Sequence, residues 1–522
     1  MSKMKSALLA CSLGLSVLTN PVFAKDLHIG LQAVITSLDP HFFNTTQNNN
    51  MSRHFFETLV KLGPHMELQP GLAKDWKPID KTTWELTLRE NVKWHDGSPF
   101  TAEDVAFSFQ RAPNVPNSPS SFASITKEAK EVRATGPLTI RITTDGPSPL
   151  LLNYLSLLPI ISKKHGEKAS TEDYNSGKAM VGTGPYKFSE YLPNNRVVAV
   201  RNDDYWGEKE PWTKVTFKFL SAGAPRVAAL LAGDVDLIDG VPPSDADRLG
   251  KDAKLRLVSG LSNRMIYLHM DSSRDRSPFV LDSKGTPMDK NPLKDSRVRK
   301  AMSMAINRDA IVGSLLDGRA TPAAQFMPMR SFGNSKDLRP EPFDAEGAKK
   351  LLAEAGYPNG FQITLHGPNN RYVNDAAVAQ VVAQLLTRVG ITTKVETMPA
   401  SIYFTRASKL DFSVMLLGWG GADVQEAVMP LRSLVRTFDA KIGAGAANRG
   451  RYSNPMLDKL IDQAMDTLDR TARAEISAKA TELAIKDTAI VPMYFEQSTW
   501  GMKQGLKLQP RIDQYTMAMD IR

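Results

Sequence analysis

Residues 91–111 read NVKWHDGSPFTAEDVAFSFQR, a run that carries strand, turn and helix instructions in succession. Upstream, residues 82–88 alternate: Trp84, Leu86 and Leu88 face one way, Glu85 and Thr87 the other. That period of two predicts a half-buried strand. Residues 91–94 are expected to continue it. His95-Asp96-Gly97-Ser98 then forms a turn in which Gly97 supplies the permissive backbone. Thr101 is placed to cap a helix, and Asp104 occupies the capping-box position where Glu is more usual. The helix runs on through Val105, Phe107, Phe109 and Arg111.

Outward from this run, strands and helices alternate. Residues 25–32 predict a first strand, with Leu27, Ile29 and Leu31 on one face. A polar loop over residues 37–50, rich in amides and hydroxyls, follows it, and a helix is expected over 51–60. Such a loop between strand and helix is a common place for ligand contacts, which nominates Asn44 and Thr45. Further on, strands are expected at 139–143, 186–189, 195–201, 214–219, 264–270, 361–365, 392–396, 412–417 and 490–494. Helices are expected at 225–233, 295–306, 307–316, 345–354, 375–389, 454–468 and 470–485. Alternation of this kind predicts an α/β architecture. The chain has 522 residues, too many for one core, so two or more lobes are expected. No low-complexity linker separates them, so the lobes should exchange the chain more than once.

The amino terminus has the order of a secretory signal: Lys3 and Lys5, an apolar run over 7–17, then Val22 and Ala24 before a cut at Lys25. The apolar run is shorter than the ~20 residues a membrane span needs. Leu8-Leu9-Ala10-Cys11 offers a lipid-anchored alternative, with the cysteine too early for it. Cys11 is the only cysteine, so the mature chain would have no disulfide, no thiolate nucleophile and no thiolate metal ligand. A periplasmic, soluble protein is the expectation. The net charge of +9 is spread along the chain without a basic, aromatic-interleaved block, which argues against a nucleic-acid partner.

Certain motifs go further. Gly71-Leu72-Ala73 to Trp76, Trp84-x-Leu86-x-Leu88-Arg89 and the 91–111 run, above all Trp94-His95-Asp96-Gly97-x-Pro99-Phe100-Thr101-Ala102-Glu103-Asp104-Val105, come in order. So do Leu38-Asp39-Pro40, Gly182-Thr183-Gly184-Pro185-Tyr186, Tyr205-Trp206, Gly233-Asp234-Val235-Asp236, Glu354-Ala355-Gly356-Tyr357 and Gly418-Trp419. In these the chain resembles the extracellular solute-binding proteins of the dipeptide and oligopeptide type, family 5, which serve ATP-driven (ABC) importers. The resemblance spans nearly the whole mature chain. It implies a two-lobed periplasmic-binding-protein fold (type II, cluster C-like) with an extra domain inserted in the first lobe. The implied division is 1–24 signal, 25–60 with 181–285 and 487–522 as lobe I, 61–180 as the insertion, and 286–486 as lobe II. The implied partners are a small solute or short peptide and the importer's permease subunits. A receptor in place of an importer would use the same motifs. A monomer is expected, with no cofactor. The 91–111 run falls in the insertion and says little about the ligand.

Peptide-binding relatives hold the ligand ammonium with an aspartate three residues after the tryptophan of the Gly-Trp pair. Here Gly418-Trp419-Gly420-Gly421 is followed by Ala422, with Asp423 one later, and Val424-Gln425-Glu426 stands where an Asp-Pro pair is usual. The resemblance therefore nominates Trp419, Gly420, Gly421 and Asp423 with the carboxylate displaced. It leaves a peptide first and an amino-acid derivative, an opine-like compound or a metal chelate as alternatives. Peptide-binding relatives can place an arginine in the neighbourhood of Arg371, between a strand end and a helix start, where its planar fork pairs a carboxylate, so the resemblance nominates Arg371 by region. Arg264, just before Tyr267, is a second cationic candidate. All eight histidines lie at or before His366, and His41 and His54 bracket the first polar loop without metal-site spacing. A secreted hydrolase is the rival from another class. It lacks support: the chain holds no Gly-x-Ser-x-Gly elbow, no His-Glu-x-x-His and no mature cysteine. No enzyme is expected.

Overall fold

The computed structural model describes residues 26–421 and 425–522. The expected signal over 1–24 and the nominated Asp423 lie outside the described residues.

The 91–111 run builds a small domain with its own core. The Thr83–Leu88 strand alternates as its sequence does, burying Trp84, Leu86 and Leu88. It lies in a four-stranded antiparallel sheet ordered Ala73–Pro78, Thr83–Leu88, Thr139–Thr144, Ala129–Gly136. The Ala102–Arg111 helix covers that sheet with Val105 and Phe109. Its start is fixed as the sequence predicts: the amide and hydroxyl of Thr101 both donate to Asp104 Oδ2, at 2.9 and 3.1 Å. Trp94 Nε1 and the amide of Lys163 donate to the same buried carboxylate. Asp104 thus ties helix, turn and a distant loop together, which explains its service in place of the longer Glu. Gly97 takes φ +85° in the turn. Residues 91–94 do not extend the strand. Asn91 adopts a left-handed φ of 60° and breaks it, leaving Lys93 an isolated bridge to Pro99.

The rest of the protein hangs on one twelve-stranded sheet. Two long antiparallel strands, Leu255–Met270 and Val491–Lys503, form its middle. They pair from Leu255↔Lys503 to Leu261↔Gln497, lose register, and resume at Met265↔Phe495. On one side of this break the sheet continues through Leu237–Ile238, Asp26–Leu31, Lys214–Phe219, Arg196–Arg201 and Tyr186–Leu192. On the other side it continues through Val414–Trp419 and Phe361–Pro368, with Ile391–Met398 and Val280–Asp282 beyond. Different cores cover the two halves. One joins Leu27, Ile29, Phe217, Trp500 and Met502; another joins Ile266, Leu268, Leu365, Val414 and Met493. A bulge is a place where a strand bends, and this register break lies between the two halves of the sheet that the different cores cover.

One expected helix is displaced. The first helix runs Thr46–Ser52, not 51–60, so the amides Asn48, Asn49 and Asn50 are helical and buried. Tertiary partners override their weak helix propensity. Asn48 accepts from the Thr36 amide and donates to Thr36 Oγ1, and Asn49 donates to Asn44 Oδ1. Phe55, Phe56 and Leu59 still reach the core, but from extended and turn backbone ahead of the short Val60–Leu62 strand.

Candidate functional site

Both halves of the sheet direct carboxyl ends of parallel strands toward the break. Asp26–Leu31 and Leu237–Ile238 are parallel neighbours, ending at Gln32 and Asp239. Phe361–Pro368 and Val414–Trp419 are parallel neighbours on the other side, ending ahead of Arg371 and at Trp419. Crevices at such ends are the usual ligand sites of α/β sheets. A cavity of about 480 Å³ opens here. One wall carries Gln32, Thr46, Gln47, Asn50, Arg226 and Asp239; the other carries Arg319, Arg371, Val373 and Asn374; Arg264 and Glu496 come from the two long strands. The size suits a small solute.

The charges in this cavity are unequally partnered. Arg264 is buried, donating from Nη2 to Gln514 Oε1 at 2.9 Å and standing 3.4 Å from Glu496 Oε2. Glu496 also accepts from the Val373 amide at 3.1 Å, and burial pushes its carboxyl up despite Arg264. Arg226 spends its guanidinium on four backbone carbonyls, those of Leu220, Ser221, Asp239 and Gly240. Arg319 pairs with Asp247 at 3.1 Å. Arg371 differs. Its backbone is fixed, because its amide and that of Tyr372 donate to Asp375 Oδ2 at 2.8 and 3.0 Å. Its guanidinium stands 5.5 Å from the Tyr372 ring and, among the described residues, has no carboxylate partner. The side chain is exposed, yet desolvation by the cleft walls, and then Arg264, hold its pKa below the usual arginine value. Asp239 is the opposite case. One carboxylate oxygen accepts from the Gln32 amide at 2.6 Å, and the neighbouring Arg226, whose Nε donates to the Asp239 backbone carbonyl at 3.0 Å, is its nearest charge partner. Burial pushes its carboxyl up to about 6.

Of the nominated residues, Arg264 and Arg371 share this cavity. Asn44 and Thr45 stop short of it, at the start of the helix whose Thr46, Gln47 and Asn50 do line it. Asn44 is engaged by Asn49 and by the carbonyl of Ser120, and Thr45 Oγ1 is buried without a partner. Trp419 pairs with Met265 and packs against Met327 and Ala427, and it does not line this cavity. Its indole Nε1 is buried without a partner among the described residues. Gly420 lies where a Cβ would come within 2.5 Å of Arg264 Cα, so its role is close strand approach. Gly421 exchanges two hydrogen bonds with the Asn263 side chain, at 2.7 and 2.9 Å.

Two histidines, His54 and His95, are fixed by backbone partners on both ring nitrogens. His54 Nε2 accepts from the Ala518 amide at 3.0 Å while Nδ1 faces the Met51 carbonyl. His95 Nδ1 accepts from the Gly182 amide while Nε2 faces the Gly184 carbonyl. Each ring needs one acceptor nitrogen and is neutral; burial holds both pKa values at about 4. Among the described residues no three His, Cys, Asp or Glu side chains gather as a metal site.

The sequence reading missed Asp239, Glu496 and Arg226. The signal available for Asp239 was its place just past a short apolar strand, three residues after the Gly233–Asp236 landmark.

Comparison with known proteins agrees with this geometry. The profile of the bacterial extracellular solute-binding proteins, family 5 (middle), matches residues 67–438. The glutathione-binding protein GsiB of Escherichia coli K12 is 26% identical over 510 residues, spanning 94% of this chain and 93% of that protein. The periplasmic oligopeptide-binding protein OppA of Salmonella typhimurium is 28% identical over 493 residues, 88% of this chain and 85% of that protein. The unliganded open form of MppA, a periplasmic murein tripeptide-binding protein, superposes with a TM-score of 0.80 at 25% identity, covering 96% of this chain and 97% of that one. With the two-lobed α/β fold, the matched motifs and this coverage, the chain belongs to the family 5 bacterial extracellular solute-binding proteins.

Proposed function

We propose that this protein is the substrate-binding component of an ABC importer and that it captures a short peptide or peptide-like solute between its lobes. The observation that carries the reading is Arg371, a guanidinium with no carboxylate partner among the described residues, on a rigidly held loop at the carboxyl end of a parallel strand. A cation held without a partner in a cavity is poised for a ligand anion, and a planar guanidinium suits a carboxylate. Every peptide ends in one. The names of the relatives, a glutathione-, an oligopeptide- and a murein tripeptide-binding protein, point to the same class. The ligand would bridge walls that belong to different cores, so it would favour the closed arrangement by the difference in affinity between the two states. No bond is made or broken. Export through the segment 1–24 and delivery to permease subunits belong to the same proposal.

Native mass spectrometry of the exported chain, as purified and after unfolding and refolding, tests this reading. Adducts with peptide masses that disappear on refolding support it. A single retained non-peptide metabolite refutes the peptide class.

A further inference from the structure

The register break in the two long strands is asymmetric. Between the pairs Leu261↔Gln497 and Met265↔Phe495 stand Ser262, Asn263 and Arg264 on one strand and Glu496 alone on the other. All of these side chains are polar and buried. The backbone ladder is interrupted here, so it does not by itself fix the angle between the two halves of the sheet. Polar contacts of the break residues run to both halves instead. Arg264 Nη2 donates to Gln514 Oε1 at 2.9 Å, on a segment whose Thr516 accepts from Trp500 Nε1 in the core of the first half. Glu496 Oε1 accepts from the Val373 amide at 3.1 Å, in the loop ahead of the Asp375–Arg388 helix of the second half. The two legs meet where Arg264 Nε stands 3.4 Å from Glu496 Oε2. Asn263 makes a parallel connection: its backbone amide donates to the Ile512 carbonyl, and its side chain holds Gly421.

We propose that Arg264 and Glu496 are positioning residues, a brace running Gln514–Arg264–Glu496–Val373 that sets the angle between the two halves of the sheet. Both line the cavity, but their charges answer each other and their remaining polar contacts lead away to opposite halves. A buried ion pair is a poor source of stability, because apolar side chains of similar volume often replace it at no cost. What it supplies is direction: a charged, hydrogen-bonded chain holds one geometry, whereas an apolar pair accepts several. Gly420 makes the position exacting, since a Cβ there would come within 2.5 Å of Arg264 Cα. Val373 stands two residues after Arg371, so the brace also fixes where Arg371 lies relative to the first half. A cleft whose walls hold the right separation in only part of the population binds its solute with affinity reduced by that fraction. Arg264 and Glu496 thereby tune affinity through the spacing of the walls.

The test uses the exported chain, which has no native cysteine beyond residue 24, with spin labels on Lys251→Cys and Lys350→Cys. Both positions are exposed, the first beside the core of Ile238 and Leu249, the second on the helix that packs Ala348 and Leu352 into the other half. Double electron–electron resonance reads the distance distribution between them without any solute, and urea melts read stability in parallel. Two variants cut the brace. Arg264→Met combined with Glu496→Met removes the pair and leaves neither charge buried alone; Gln514→Leu cuts only the leg to the first half. The expected result is a distribution about twofold broader in the double variant, and broader by less in Gln514→Leu, with urea midpoints close to wild type. Wild-type width in either variant, whatever its stability, overturns the proposal: in the double variant because the pair then braces nothing, in Gln514→Leu because the first half is then not held through it. Each variant decides alone if the other does not fold. The measurement needs no ligand, so its failure is separate from failure of the peptide reading.

Discussion

Replacing Arg371 with alanine separates binding from stability. The guanidinium makes no ion pair among the described residues, and its loop is held by backbone bonds to Asp375 that the substitution leaves in place. Its one aromatic contact, 5.5 Å from the Tyr372 ring, is worth about 0.5–1 kcal/mol at most at an exposed site. The urea midpoint should therefore stay close to wild type. A hydrogen bond to a charged partner is worth about 1.5–3 kcal/mol, which corresponds to a Kd weakened by roughly 10- to 150-fold. Arg371→Lys keeps the charge and loses the fork, so it should fall between. Titration calorimetry against the solute identified on the purified protein reads the Kd, and urea melts read the stability. If Arg371→Ala binds within twofold of wild type, the cleft is not anchored at Arg371 and the charge accounting is wrong. A large drop in stability would mean instead that the side chain has a structural partner.

Other expectations follow from buried contacts. Arg473 forms a bidentate pair with Glu426 at 3.0 and 3.2 Å, with both side chains 5% exposed or less. Arg473→Met leaves Glu426 buried without a counter-charge and should cost about 3–5 kcal/mol in chemical denaturation; a cost under about 1 kcal/mol would show that the pair relaxes into solvent. At Gly418 a Cβ would lie 2.6 Å from Tyr372 Cε1 and 2.9 Å from Ile266 Cδ1. Gly418→Ala should cost about 1–3 kcal/mol by overpacking and weaken ligand binding by moving the residue beside Arg371; unchanged affinity would uncouple the two. Burial holds the His54 pKa at about 4, below its unfolded value near 6.5. The unfolded chain therefore takes up this proton first as pH falls, and the stability His54 contributes is lost between about pH 6.5 and 4. The stability gap between wild type and His54→Gln should shrink by up to about 1.4 kcal/mol per pH unit in that window, and a constant gap from pH 7 to 4.5 would contradict a neutral buried ring.

Local pattern was enough for much of the fold. The Thr83–Leu88 strand, the Thr101–Asp104 cap and the Gly97 turn follow from spacing within a few residues, because alternation and capping are short-range effects. The Lys214–Phe219 strand and the Ala345–Glu354 helix were likewise legible to the residue. The first helix was not. Its asparagines look like a loop until Thr36 and Asn44 are seen to engage their amides, and those partners lie across a turn that sequence spacing does not reveal.

The sequence by itself determined the α/β class, the family and the two cationic candidates Arg264 and Arg371, since each rests on residue type and order. Tertiary structure decided which charges remain free. Arg264 is answered by Glu496, 232 positions along the chain, and Arg226 stands beside Asp239, whereas Arg371 has no carboxylate partner among the described residues. It also packed Trp419 against Met327 and set Gly420 against Arg264. A charge is available to a solute only if the folded chain has not already neutralised it, and that depends on contacts between residues far apart in sequence.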